Sequence, residues 1–136
     1  MIVADASAIV AVFSGGEHRA ELIRDRLERE DELSAPHLID LEVMQALRRA
    51  VRHGDLSADR AFDCVQDLVD LALTRFPHEP FAERIWELRD RLSTYDAVYL
   101  ALAEAIGVPL VTCDAALAAV ADRTVDVELF APETGN

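Results

Sequence analysis

Two short apolar runs each end in an aspartate that opens a helix, and this repeated seam limits the fold more than any other feature. The first is "IVADASAIVAV", residues 2–12, with Asp5 at the seam. The second is "VPLVTCDAAL", residues 108–117, with Asp114 there. Strands this apolar are buried on both faces, which is the mark of a parallel sheet with helices on either side. In such sheets ligands bind beyond the carboxyl ends of the strands. Asp5 and Asp114 both stand at such ends.

The rest of the chain alternates in the same way. Strands are expected at 2–5, Leu33–Ala35, Arg75–His78, 109–112 and 125–130. Helices are expected at 6–13, 17–30, 38–53, 57–73, 80–91, 94–106 and 114–121. Ser14-Gly15-Gly16 breaks the first two helices, and Gly54 and Gly107 close two others. Ser57 is placed to cap the helix that follows it. With no repeat, linker or low-complexity stretch, the 136 residues are expected to form a single α/β domain, 1–136. Its predicted core is a mostly parallel sheet of about five strands flanked by helices on both faces.

Composition narrows the chemistry. There are 26 acids and 13 bases, a net charge of −13, and every base is Arg. The lack of Lys excludes a P-loop lysine, a Schiff base and any Lys-dependent phosphate site. The acidity opposes non-specific nucleic-acid binding and favours cationic partners. No apolar run approaches the ~20 residues of a membrane span; "AVYLALA" stops at Glu104. No basic segment precedes the first apolar run, so a cytoplasmic protein is expected. Cys64 and Cys113 form no CxxC pair and read as buried thiols. His18, His37, His53 and His78 show no metal-binding spacing and read as surface residues.

Each acid has an ordinary explanation. Asp5 and Asp114 can be helix N-caps, and Asp96 stands three residues after Ser93 in capping-box spacing. Glu42 lies early in the helix 38–53, where acids are favoured by the dipole. Asp40 reads as an N-cap or a solvated group. Taken together, Asp5, Glu42, Asp96 and Asp114 all lie near helix starts. If those starts gather at one sheet edge, four carboxylates share a pocket and repel one another. A divalent cation removes that conflict, and Mg²⁺ and Mn²⁺ take oxygen ligands. The hydroxyls of Ser7 and Thr112, each two residues from a strand-end Asp, are placed to orient carboxylates or bound water.

These residues carry a family resemblance. "MIVADASAIVAVF", "LEVMQALRRAVRHGDLS", "STYDAVYLALAEAIGVPLVTCDAAL" and "VDVEL", in that order, resemble PIN-domain ribonucleases, and more narrowly the VapC-type toxins of bacterial toxin–antitoxin pairs. The family's acidic quartet falls on Asp5, Glu42, Asp96 and Asp114. Gln45 departs from the Asn common in relatives three residues after the helix Glu. No further acid follows Asp114, where Ala115, Ala116 and Leu117 stand, which weakens the case for a tightly held second metal. The resemblance implies a PIN-like fold and Mg²⁺- or Mn²⁺-dependent cleavage of RNA. Asp5, Asp96 and Asp114 would serve as metal ligands and Glu42 as water holder or base. It also implies a cognate antitoxin, expected to carry a basic tail, and a homodimer.

RNA on so acidic a chain needs a local basic surface. "ALRRAVRHG" offers Arg48, Arg49 and Arg52. On a helix Arg49 lies about 20° off the face of Glu42 and roughly 10 Å along the axis. The same arginines also suit a solvated helix end. Arginines of 17–30 and 80–91, interleaved with acids, read as surface pairs. Response-regulator receivers and haloacid-dehalogenase-type phosphatases share a strand-end Asp. Both need a Lys that this chain lacks, and Ser7 stands where the phosphatases need a second Asp. The remaining rival is a catalytically silent PIN-fold interaction module.

Overall fold

The computed structural model describes residues 1–14 and 16–132, the side chain of Glu17 excepted. Five strands form one sheet: β1 (Ile2–Ala4), β2 (Leu33–Pro36), β3 (Leu73–Phe76), β4 (Leu110–Thr112) and β5 (Val127–Leu129). Their order is β3-β2-β1-β4-β5, and every pairing is parallel. The helices are α1 (Ala6–Ser14), α2 (Glu17–Glu28), α3 (Leu38–Arg52), α4 (Ala58–Asp70), α5 (Ala82–Glu87), α6 (Thr94–Ile106) and α7 (Ala115–Ala121).

Chain direction decides the layers. From β1 to β2 to β3 the chain moves one way across the sheet. From β3 to β4 to β5 it moves the other way. Parallel crossovers are right-handed, so α1–α4 cover one face and α5–α7 the other. Helix packing agrees: α1 packs on α2 and α3, α3 on α4, and α5 on α6. The direction reverses between β1 and β4, so the crevice expected of such sheets opens there. Asp5 follows β1 and Asp114 follows β4, and the Asp5 N–H donates to the Val111 carbonyl across the seam. The core is the expected one. Ile2, Val3, Ala4, Leu110 and Val111 of the central strands are fully buried, as is the middle of α6 from Ala97 to Ala103.

The boundaries differ in two places. The helix expected over 57–73 ends at Asp70, Leu71 turns extended, and β3 begins at Leu73 rather than Arg75. Four register pairs with β2, from Leu33↔Leu73 to Pro36↔Phe76, outweigh three more residues of helix. The helix expected over 80–91 becomes a 3₁₀ turn at Glu79–Phe81 and the short α5. Pro80 cannot donate to a preceding turn, and Leu88 and Leu92 fold into the core instead of continuing the helix. The expected break at Ser14-Gly15-Gly16 separates α1 from α2; Gly15 lies outside the described residues. Gly107 ends α6 at φ 68°, a left-handed conformation that suits glycine. No helix among the described residues is long and apolar enough to cross a membrane. Cys64 and Cys113 are buried free thiols, and all four histidines are exposed.

Candidate active site

Asp5 is the buried centre of the site. Its residue is 5% exposed. Its Oδ2 accepts hydrogen bonds from Ser7 Oγ at 2.6 Å and Thr112 Oγ1 at 2.7 Å. Each hydroxyl has one proton to give, so both are committed to Asp5. The lone pairs of those oxygens are used as well: Cys113 N–H donates to Ser7 Oγ at 2.9 Å and Asp114 N–H to Thr112 Oγ1 at 3.0 Å. The two hydroxyls thus tie the end of β1 to the turn after β4, as expected of residues orienting a carboxylate. Burial, and to a lesser extent the charge of Asp114, raises the Asp5 carboxyl above its usual range against the pull of the Ser7 and Thr112 hydrogen bonds.

Asp114 takes the N-cap position of α7 that its place in the sequence allows, its Oδ1 accepting from Ala116 N–H at 2.9 Å and Leu117 N–H at 3.1 Å. It also stands close enough to Asp5 and Asp96 for its charge to raise both. Asp96 lies in the first turn of α6, where Ser93 Oγ caps its N–H at 3.1 Å. Burial raises the Asp96 carboxyl, followed by the charges of Asp5 and Asp114. Glu42, in the second turn of α3, is raised by burial and then by Asp5 and Asp96. The four acids therefore sense one another at a single edge of the sheet. Among the described residues none of them is ion-paired.

Tyr99 is the residue the sequence pattern missed. It is fully buried, and its hydroxyl donates to Glu42 Oε1 at 2.7 Å. The bond joins α6 on one face of the sheet to α3 on the other and fixes one oxygen of Glu42. Tyr99 lies three residues after Asp96, on the same side of its helix, and that spacing was the available signal. Asp40, expected as a cap or solvated group, instead forms a two-pronged pair with Arg75 at 2.7 and 2.9 Å. It lies in the first turn of α3 and belongs to the β3 edge.

A groove of about 390 Å³ opens beside the acids. Ser7, Val10 and Ser14 of α1, Arg19 of α2, and Glu42 and Ala46 of α3 are among the residues lining it. Gln45, Arg48, Arg49 and Arg52 are exposed on α3. They are not brought into contact with the acids. Among the described residues no group of three or more His, Cys, Asp or Glu is arranged to enclose a metal ion. The donor set is nonetheless that of a hard cation. It consists of carboxylates, and those of Asp5, Glu42 and Asp96 are raised by burial and then by neighbouring acids, with no ion pair to them among the described residues to offset this. Mg²⁺ commonly takes one or two carboxylates and completes its shell with water and substrate phosphate, so the residues fit such an ion.

The comparisons with known proteins agree with this geometry. The PIN domain family model matches residues 2–123. Ribonuclease VapC1 of Mycobacterium tuberculosis is 41% identical over 128 residues, covering 93% of this chain and 96% of its own. Among solved structures, PAE2754 from Pyrobaculum aerophilum has a TM-score of 0.71 at 25% identity, over 92% of this chain and 82% of its own. VapBC-5 from Mycobacterium tuberculosis, described as a member of the VapBC family of toxin–antitoxin systems, has a TM-score of 0.55 at 20% identity. The chain belongs to the PIN-domain family and, within it, to the VapC-type ribonucleases.

Proposed function

We propose that the chain, a single domain over residues 1–136, is a cytoplasmic endoribonuclease toxin. It hydrolyses RNA phosphodiester bonds with Mg²⁺, for which Mn²⁺ substitutes, and a cognate antitoxin neutralises it. The observation that carries this reading is that Asp5 and Asp96 lie near one another and near both Glu42 and Asp114, with none of the four ion-paired among the described residues. Membership of the VapC-type ribonucleases supports it.

In this reading Asp5, Asp96 and Asp114 would hold the ion. Ser7 and Thr112 keep Asp5 in place. A bound divalent cation neutralises charge on the phosphoryl oxygens and acidifies water. Glu42 holds the attacking water and accepts its proton. The Tyr99 hydroxyl fixes the orientation of Glu42 through Oε1. The water oxygen bonds to phosphorus, one ester P–O bond breaks, and the leaving oxygen is protonated. Arg48, Arg49 and Arg52 guide phosphates along α3, the exposed cationic side of an otherwise acidic molecule.

The antitoxin is best matched by a basic tail that presents Arg to Asp5, Asp96 or Asp114, since Arg keeps its charge and binds carboxylates through two parallel bonds. The homodimer is proposed on apolar surface left by the core. Leu41 is 66% exposed, and Phe62 and Val69 of α4 are similarly exposed. Leu68 of α4, by contrast, is fully buried and belongs to the core.

Incubation of purified protein with several RNA pools and Mn²⁺ tests the reading. Cleavage by the wild-type chain that is lost in Asp5→Asn, Asp96→Asn and Asp114→Asn is the expected result. Wild-type activity in any two of the variants would refute the site. No cleavage of any pool would favour the silent interaction module.

A further inference from the structure

Four arginines stand in the segment 17–30, and Arg24 and Arg29, though not ion-paired among the described residues, donate to the carbonyls of Val12 and Asp25. The pattern of residues 17–30 predicts pairing along the helix, and Arg26 does pair with Glu30 at 2.8 Å. Arg19 makes no ion pair among the described residues. Its side chain lines the groove beside Ser7 and Glu42, and its Nε is buried with no hydrogen-bond partner among the described residues. A buried donor on a charged group left unmet is costly, and native structures rarely keep one without a reason.

The surroundings limit what can satisfy it. Glu42 lines the same groove, yet it does not pair with Arg19, and its Oε1 is held by Tyr99. The walls are short side chains: Ala6, Val10 and Ala11 of α1 and Ala46 of α3. These four supply no acceptor for a guanidinium; of the polar lining, Ser7 Oγ is taken up by Asp5 and Cys113, and Ser14 Oγ, which donates to the Val10 carbonyl, is not bonded to Arg19. Glu42 and Ala46 line the groove, and Arg49 continues their line along α3 at helical spacing, beyond the groove's end. An anion with two oxygens spaced to meet a planar fork fits this position, and phosphate is such a group.

We infer that Arg19 is a substrate-binding residue that holds the RNA phosphate next to the scissile one, on the path from Arg49 to the carboxylates. The inference rests on the reading that RNA is the substrate of this site. An arriving phosphate gives Nε–H its missing acceptor as the guanidinium turns into the groove. The contact is made equally to bound substrate and transition state, so it acts on KM more than on kcat.

Metal-free protein in EDTA, titrated with fluorescein-labelled oligouridylate over a range of salt, tests this without cleavage. Arg19→Gln should weaken binding roughly tenfold and reduce the slope of log K against log salt by about 0.7, one single-strand phosphate contact. Arg19→Lys should keep the slope and lose part of the affinity, since it keeps charge but not the fork. With Mn²⁺, Arg19→Gln should raise KM while kcat changes little. Wild-type affinity and slope in Arg19→Gln would overturn the assignment. If Arg19→Gln melts below the assay temperature, Arg19→Lys decides: weaker binding at unchanged slope supports the contact, and unchanged affinity overturns it. Protein that binds the oligomer through Arg19 but cuts no RNA would end the cleavage reading and leave the contact. Protein that cuts RNA with KM indifferent to Arg19 would do the reverse.

Discussion

The two ends of α6 carry the same kind of side chain in opposite electrostatic states. Asp96 lies in the first turn and Glu104 near the last, and both are partly buried. Burial raises each carboxyl. At Glu104 hydrogen bonds from Arg84, at 2.8 and 3.0 Å, and from Thr124 outweigh that effect and hold the group below its usual range. At Asp96 the neighbours are Asp5 and Asp114, which add to burial and push the group up. The cavity at the Glu104 end, walled also by Val108, Arg123 and Asp126, and the groove beside Glu42 are of similar size, about 420 Å³ and 390 Å³. Size therefore does not mark the functional end of this molecule. Unmet charge does: one end has already found its cation within the chain, and the other has not.

The largest expected effect breaks the comparison through activity. Asp5→Asn, Asp96→Asn and Asp114→Asn should each lower cleavage at least ~100-fold, the scale on which positioned acid–base groups act. Asn caps a helix about as well as Asp, so the Asp114→Asn loss should come without unfolding. Arg84→Ala, at the other end of α6, should leave cleavage near wild type. Initial rates on one RNA substrate check all four.

Stability should move in opposite directions at the two ends. Asp96 binds its proton more tightly folded than unfolded. Its favourable contribution is complete below its unfolded value, near 3.8, and is lost as pH rises through the higher folded value. Metal-free Asp96→Asn should therefore be more stable than wild type at pH 7, by roughly 1 kcal/mol or several degrees in Tm. Glu104 contributes stability above its unfolded value, near 4.5, and loses it as pH falls through the lower folded value. Glu104→Gln should cost about 0.5–1 kcal/mol at pH 7, since Arg84 is partly exposed and solvent screens the pair. Thermal melts in EDTA across pH measure both, and shifts of equal sign would remove the distinction.

Tyr99→Phe should give the smallest effect and sharpen the picture of the acidic end. Burial raises Glu42, and the Tyr99 hydroxyl opposes that rise. Without it, Glu42 should bind its proton more tightly, and the acid limb of the pH–rate profile should move to higher pH. Activity should fall several-fold at low pH and recover as pH is raised. A loss of equal size at every pH would assign Tyr99 a packing role alone.

Much of this was legible in the chain because it is written locally. A strand-end Asp, a hydroxyl two residues from it and a helix that follows are all short-range patterns, and they located Asp5, Ser7, Thr112 and Asp114. The alternation of strands and helices implied a sheet covered on both faces. What escaped depends on tertiary contact. Tyr99 is hidden in "AVYLALA", where it reads as one more apolar residue until α3 brings Glu42 to its hydroxyl. Arg19 has acids nearby in sequence, so only the fold reveals that it pairs with none. The apolar periodicity of 57–73 runs on through Leu71, and pairing with β2 is what ends that helix early.

The central claim is that the four carboxylates form one site completed by a divalent cation. Thermal unfolding with and without ~5 mM Mg²⁺, for wild type and Asp5→Asn, tests it most directly. For a dissociation constant of ~1 mM the ion should stabilise wild type by about 1 kcal/mol and raise Tm by roughly 3–5 °C. The rise should vanish in Asp5→Asn. An equal rise in both proteins would show the ion acting by general screening of the −13 charge and would contradict the claim.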